Sequence, residues 1–233
     1  MNIGLFGYGK MGKMIEQIAL DRGHDIVAKI DDRSQDVDYT SMDVAIDFST
    51  PEAAFDNITN CFKNSVPVIS GTTGWLDKFQ EAINICEEHG SAFIYASNFS
   101  LGVNIFFELN KHLAKMMGEL DQYKVSVEEI HHTQKLDAPS GTAITLAEGI
   151  IESTSYQDWK LDESGDKTIS IKSIREGMVP GTHSIAYKSS VDTIEIKHEA
   201  HNREGFALGA VIASEWIQGK AGIFSMKDVL NLS

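Results

Sequence analysis

Ile3-Gly4-Leu5-Phe6-Gly7-Tyr8-Gly9-Lys10-Met11-Gly12 joins a short apolar run to a G-x-G-x-x-G loop, and an amphipathic run over residues 11–21 follows. Strand, glycine turn and helix in that order open a βαβ unit over residues 1–32, and Asp31 lies nineteen positions beyond Gly12. Each glycine has a physical reason. The first permits a tight turn, the second lets backbone approach a pyrophosphate, and the third lets helix pack on strand, while the helix N-terminal amides face the anion. Gly7, Tyr8, Gly9, Lys10, Met11 and Gly12, with Asp31 to accept from ribose hydroxyls, are therefore candidate dinucleotide-binding residues. Asp31 argues for NADH, because a carboxylate repels a 2′-phosphate; Lys10 and Arg33 can accommodate that phosphate, so NADH and NADPH both stay open.

Outward from this unit, apolar runs at 26–30, 44–48, 66–69 and 92–95 alternate with amphipathic ones at 51–63 and 76–88. Such alternation predicts an α/β fold with a Rossmann-type, doubly wound parallel sheet. Ligands in such a sheet sit at the carboxyl ends of the strands. The turns Asp47-Phe48-Ser49-Thr50-Pro51 and Ser70-Gly71-Thr72-Thr73-Gly74 are thus placed to line the nicotinamide half of a cofactor, through Ser49, Gly71, Thr72 and Thr73.

After Asn98 the rhythm changes. A long helix is expected over 101–117, a half-buried strand over 123–130, a helix over 138–153, a polar loop or edge over 158–166, and strands over 168–174, 183–187 and 193–198. This predicts a second, smaller α+β domain with a mixed, largely antiparallel sheet. A final helical stretch over 203–219 can pack back on the first domain. The expected division is 1–98 with 204–233 for the dinucleotide and 99–203 for substrate binding and oligomerisation.

Composition bounds the partners. Twenty Lys and Arg against 34 Asp and Glu give a net charge of −14, which argues against nucleic acid and anionic membrane and for a small molecule. Cys61 and Cys86 form no metal-type cluster and fit a reducing cytoplasm, and Cys61 lacks a neighbouring base to act as a nucleophile. His198-Glu199-Ala200-His201 lacks an HExxH pattern, so no metal is expected.

The chemistry is expected in Glu128-Glu129-Ile130-His131-His132-Thr133-Gln134-Lys135-Leu136-Asp137-Ala138-Pro139-Ser140-Gly141-Thr142-Ala143. Tyr123, Val125, Val127, Glu129 and His131 share one strand face, and Lys135 returns to it if the chain stays extended. His131 can move a proton near neutral pH, and Lys135 can donate one or pair with a carboxylate. Pro139 at a helical N1, after Ala138 as N-cap, would aim the amides of Ser140, Gly141 and Thr142 at an anion. An acidic protein that binds a dianion must concentrate positive charge locally, and this run does so, with Arg203 able to join. The alternative is a polar loop entering a helix behind two strand-end histidines.

Taken together, Gly7 to Gly12, Asp47 to Thr50, Gly71 to Gly74, Ser97-Asn98-Phe99-Ser100-Leu101-Gly102-Val103-Asn104, His131 to Thr142 and Arg175-Glu176-Gly177-Met178-Val179-Pro180-Gly181-Thr182-His183 resemble the 4-hydroxy-tetrahydrodipicolinate (dihydrodipicolinate) reductase family of lysine and diaminopimelate biosynthesis. The resemblance covers nearly the whole chain, although the glycine loop is one residue tighter than the family's common GxxGxxG. It implies that His131 and Lys135 are catalytic, Lys135 as proton donor and His131 as acid or orienting group. It further implies that His132, Lys135, Ser140, Gly141 and Thr142 hold the carboxylates of a small cyclic dicarboxylate substrate. Ala96, Ser97, Asn98 and Phe99 would join Gly71 to Thr73 at the nicotinamide, and the protein would be a cytoplasmic homotetramer. A different dehydrogenase of the same architecture, or a non-catalytic dinucleotide sensor, would lack the His131–Thr142 run.

Overall fold

A computed structural model describes residues 1–31 and 36–232. Asp32, the expected end of the βαβ unit, and Arg33, the candidate phosphate partner, lie outside the described residues. The chain forms two compact units, Met1–Leu101 with Glu204 onward, and Gly102–Arg203.

The first unit opens with β1 (Asn2–Phe6), α1 (Lys10–Asp21), β2 (Asp25–Ile30), β3 (Val44–Asp47), α2 (Pro51–Lys63), β4 (Val68–Ser70), α3 (Phe79–Glu88) and β5 (Ala92–Tyr95). Pro51 pre-sets the backbone for the first turn of α2 behind Thr50. A short 3-10 turn, Leu76–Lys78, replaces the start expected for α3. Side chains of β1 alternate between two cores. Ile3 and Leu5 pack with Ile15 of α1 on one face, and Phe6 packs with Ile58 and Phe62 of α2 on the other. Because β2 and β3 flank β1 on opposite sides, the chain reverses direction across the sheet at β1, and the turns after β1 and β3 open on one crevice.

The second unit contains α4 (Leu101–Met117), β6 (Lys124–His131), α5 (Gly141–Ile151), β7 (Asp158–Leu161), β8 (Thr168–Arg175), β9 (Gly181–Lys188) and β10 (Thr193–Ala200). The sheet order is β10-β9-β6-β8-β7. β9 is antiparallel to β6 and β10, whereas β8 is parallel to β6 and β7. The sheet is thus mixed, and β6 and β8 run codirectionally because the connection from β6 toward β8 runs through helix α5. Val125, Val127, Ile171 and Ile185 cover one face against Leu113 of α4 and Leu146 of α5.

The chain then returns to the first unit with α6 (Glu204–Trp216), β11 (Gly222–Phe224) and α7 (Met226–Leu230). Val211 and Ala210 of α6 pack in the same core as Ile15 of α1. The sequence carried no expectation for β11 or α7; β11 extends the parallel sheet to β11-β5-β4-β3-β1-β2.

Candidate active site

In the first unit, two glycines shape the loop and one is left for a ligand. Gly7 has φ +90, and a Cβ there would lie 2.1 Å from the Phe48 carbonyl oxygen; one on Gly12 would lie 2.3 Å from the Gly7 oxygen. A Cβ on Gly9 would meet nothing within 4 Å. The Tyr8 amide donates to Asp31 Oδ1 at 3.0 Å, which brings that carboxylate against the loop. Gly7, Gly9, Asp31, Ser49, Thr50 and Asn57 line one cleft of about 570 Å³. Open backbone at Gly9, amides at the start of α1 and a carboxylate at the ribose end fit a dinucleotide. Lys10 begins α1 and is exposed, while Met11 packs partly against the core.

Buried Asp47 ties the two neighbouring turns together. Its carboxylate accepts from Ser49 Oγ at 2.6 Å, Thr72 Oγ1 at 2.7 Å, Ser70 Oγ at 3.0 Å and Asn57 Nδ2 at 3.3 Å. Burial pushes the Asp47 carboxyl above its usual range, and these donors oppose the shift. Thr72 Oγ1 also accepts from the Ser49 amide at 2.9 Å, so its hydroxyl is a support for the cleft wall. Gly71 lies against the Phe48 ring, where a Cβ would come within 2.3 Å, and Thr73 is exposed. The Ala96 amide bonds the Ser70 carbonyl at 3.2 Å, and Asn98 Oδ1 accepts from the Ser100 amide at 2.9 Å. Ser97 is exposed. Phe99 is buried, packs on Phe48 with ring centroids 5.8 Å apart, and rests its carbonyl over Gly209.

In the second unit, strand register assembles a buried polar cluster. Glu129 faces His183 across β6 and β9, and His131 faces Arg175 across β6 and β8. Glu129 is fully buried; its Oε2 bonds His131 Nδ1, and its Oε1 accepts from Arg175 Nη2 at 2.9 Å and the Ser140 amide at 3.3 Å. Burial alone would raise the Glu129 carboxyl, but His131 and Arg175 outweigh it and hold it at about 2. His183 packs its ring on His131 with centroids 5.1 Å apart and shares a 3.2 Å bond with Ser140 Oγ. Burial, followed by the charge of His131, pushes His183 down to about 3, so His183 is neutral at physiological pH.

Two expectations are corrected. The chain does not stay extended after His131: the Lys135 amide turns back to the His132 carbonyl at 3.1 Å, and Lys135 Nζ pairs with the Asp137 carboxylate at 2.7 Å. The helix also starts later than expected. Ser140, not Ala138, is the N-cap, because its hydroxyl can accept from the Ala143 amide, as it does at 3.2 Å, and an alanine offers no such acceptor. With the Ser140 amide given to Glu129, the amides of Gly141 and Thr142 begin the helix as its orphan donors. His132 and Thr142 are half-buried and Gly141 is exposed.

Glu129, Arg175 and His183 join His131 in this cluster, although no local sequence pattern singles them out. Glu129 precedes His131 by two on the buried face, and Arg175 and His183 bound one of the quoted motifs. Glu129, His131 and His183 bring ligand-type atoms within 4.8 Å, a spacing that would also suit a metal, but both carboxylate oxygens already serve Arg175 and His131. Cys61 and Cys86 are free and buried, and burial pushes both thiols up, Cys86 to about 12. Neither is a nucleophile at neutral pH. Among the described residues no helix is long and apolar enough to cross a membrane.

Sequence profiles described as dihydrodipicolinate reductase, N-terminus and C-terminus, match residues 1–99 and 102–230. The chain is 59% identical to a 4-hydroxy-tetrahydrodipicolinate reductase of Christiangramia forsetii, over 99% of this chain and 98% of that one. It is similar in fold to a dipicolinate-bound dihydrodipicolinate reductase from Paenisporosarcina sp. TG-14, with TM-score 0.82 and 23% identity over 100% and 99% of the two chains. A scyllo-inositol dehydrogenase from Lactobacillus casei with bound NAD(H) shares the fold at TM-score 0.55 and 12% identity, over 99% and 93% of the chains.

Proposed function

Because the chain belongs to the dihydrodipicolinate reductase family, we propose that it reduces 4-hydroxy-tetrahydrodipicolinate to tetrahydrodipicolinate in lysine and diaminopimelate biosynthesis. The observation that carries the chemistry is His131, held by a buried carboxylate at the end of a strand whose next helix opens with the Gly141 and Thr142 amides. A reduced nicotinamide dinucleotide, when bound, supplies the hydride. Gly7 to Gly12 present amides and Lys10 to its pyrophosphate, Asp31 takes the ribose, and Ser49, Gly71 to Thr73 and Ala96 to Phe99 border the nicotinamide. Asp31 favours the unphosphorylated ribose of NADH.

The 4-hydroxyl leaves as water to give the dihydro ring; one ring carbon then receives the hydride, and Lys135 and His131 serve as the proton-transferring pair, with Lys135 giving a proton to the adjacent ring atom. His132, Lys135, Ser140, Gly141 and Thr142 hold the two carboxylates. Substrate carboxylate then competes with Asp137 for the Lys135 ammonium. The enzyme acts in the cytoplasm as a homotetramer assembled through the second-unit sheet, which light scattering of purified protein reads directly.

Dipicolinate, a flat ring with the same two carboxylates, tests the substrate assignment. It is expected to raise the melting temperature of the native protein and to raise that of Lys135→Ala much less. A native protein that dipicolinate does not shift would contradict the assignment.

A further inference from the structure

The cluster around His131 contains a group to which the proposed mechanism gives no task. Glu129 is fully buried, two residues from His131, and held from two sides by N–H donors on the same oxygen: Arg175 Nη2 at 2.9 Å and the Ser140 amide at 3.3 Å. Its other oxygen meets His131 Nδ1. An ionised carboxylate only accepts, so the nitrogen facing it must carry a proton. The opposite nitrogen, Nε2, lies beside Gly181, where a Cβ would approach to 3.0 Å. A side chain at that position would crowd Nε2, which glycine does not. Of the other charged or titratable groups in this cluster, Arg175 lies on β8 and His183 on β9, with His198 of β10 beside His183 and Lys135 in the loop.

We propose that Glu129 is the positioning residue for His131: its carboxylate keeps a proton on Nδ1 and leaves Nε2 as the nitrogen that exchanges a proton during reduction. The inference rests on the reading of His131 as a proton-transferring group. Fixing the tautomer and the ring plane removes two wrong states from the reactive ensemble, and the adjacent negative charge stabilises the imidazolium whenever it forms. Arg175 and Ser140 act one step further out. They fix which carboxylate oxygen faces His131, as outer partners do for histidines in other sites. His183 adds a wall without adding a charge, since burial keeps it neutral.

Glu129→Gln tests this with almost no change of shape. The two N–H donors on the Oε1 side dictate that the amide oxygen points to them, so the NH2 group points at Nδ1. That inverts the requirement: Nδ1 must accept, the proton moves to Nε2, and an imidazolium would set N–H against N–H. The expected result is a fall in kcat of about 100-fold or more, with the KM for the nicotinamide donor within about twofold of native. A purely structural role would instead lower the fraction of protein that binds the nicotinamide donor.

The 15N shifts of His131 in native protein, assigned by comparison with His131→Gln, give a reading that needs no turnover and no folded Glu129 variant. The neutral form of the imidazole is expected to carry its proton on Nδ1, and one that carries it on Nε2 overturns the proposal. Glu129→Gln turnover within about twofold of native also overturns it. If instead His131→Gln turns over like native, the reading of His131 itself fails, which is a different result from either of these.

Discussion

Arg175 Nη2 donates at once to Glu129 Oε1, at 2.9 Å, and to the main-chain carbonyl of Asp137, at 2.6 Å. One guanidinium therefore staples the end of β8 both to the buried carboxylate of β6 and to the loop that carries Lys135. Arg175→Met removes the cationic partner of a buried anion, which costs about 3 kcal/mol of stability and lowers kcat as the loop loosens. Arg175→Lys keeps the charge but lacks the fork, so it is expected to fall between. Urea denaturation checks both, and an Arg175→Met midpoint equal to native would contradict the staple.

The glycine loop separates fold from binding. Gly7→Ala and Gly12→Ala place a Cβ 2.1 and 2.3 Å from backbone oxygen, so both are expected to unfold or severely destabilise the first unit. Gly9→Ala meets nothing within 4 Å. Its melting temperature is expected within about 2 °C of native, with NADH affinity weakened about tenfold or more, because the methyl occupies the space that pyrophosphate needs. NADH fluorescence titration beside a melting curve reads both quantities. Native-like affinity in Gly9→Ala would remove Gly9 from the phosphate site.

Asp47 holds the cleft wall without lining it. Asp47→Ala strips the acceptor from the Ser49, Ser70 and Thr72 hydroxyls and the Asn57 amide. A loss of about 3 kcal/mol is expected, together with weaker dinucleotide binding, since the Ser49 and Thr72 turns lose their common anchor. Unchanged NADH affinity in a folded Asp47→Ala protein would show that the turns hold themselves.

Acid sensitivity follows from His183 and Glu129. His183 stays neutral to about 3 in the fold against 6.5 for the free side chain, so between these values the unfolded chain binds a proton that the native protein refuses. Stability from this residue is complete above pH 6.5 and falls as pH drops toward 3, by about 2 kcal/mol at pH 5. Glu129, held at about 2 against 4.5, contributes stability above pH 4.5 that is lost as pH falls through its folded value. Urea midpoints between pH 7 and 2 are expected to decline in two legs, one below pH 6.5 and a steeper one below pH 4.5, with His183→Gln flattening the first. An equal slope in native and variant would contradict the buried neutral state.

The first hundred residues were the most legible. Gly7 and Gly12 announce their turn because only glycine fits against the Phe48 and Gly7 carbonyls. Just beyond, the seventeen residues of α4, Leu101–Met117, match the apolar spacing end to end. β11 was not legible: Gly222, Ile223 and Phe224 are too few to show a period, and they become a strand by pairing with β5. The start of α5 was misplaced because Pro139 is a good N1 residue, yet the cap goes to the residue with a usable hydroxyl. His131 stood out by composition and context. Its partners did not, because Arg175 reaches Glu129 across 46 positions and His183 faces it through β9, relationships fixed by sheet register and invisible to local pattern.

Reduction of a small cyclic dicarboxylate by a nicotinamide donor is tested most directly with purified protein, NADH or NADPH and freshly generated 4-hydroxy-tetrahydrodipicolinate, followed at the absorbance band of the reduced nicotinamide. A substrate-dependent loss of that absorbance is expected with at least one donor, with kcat lowered in Lys135→Ala while donor affinity holds. No loss with either donor, at enzyme concentrations where NADH binding is demonstrable, would contradict it.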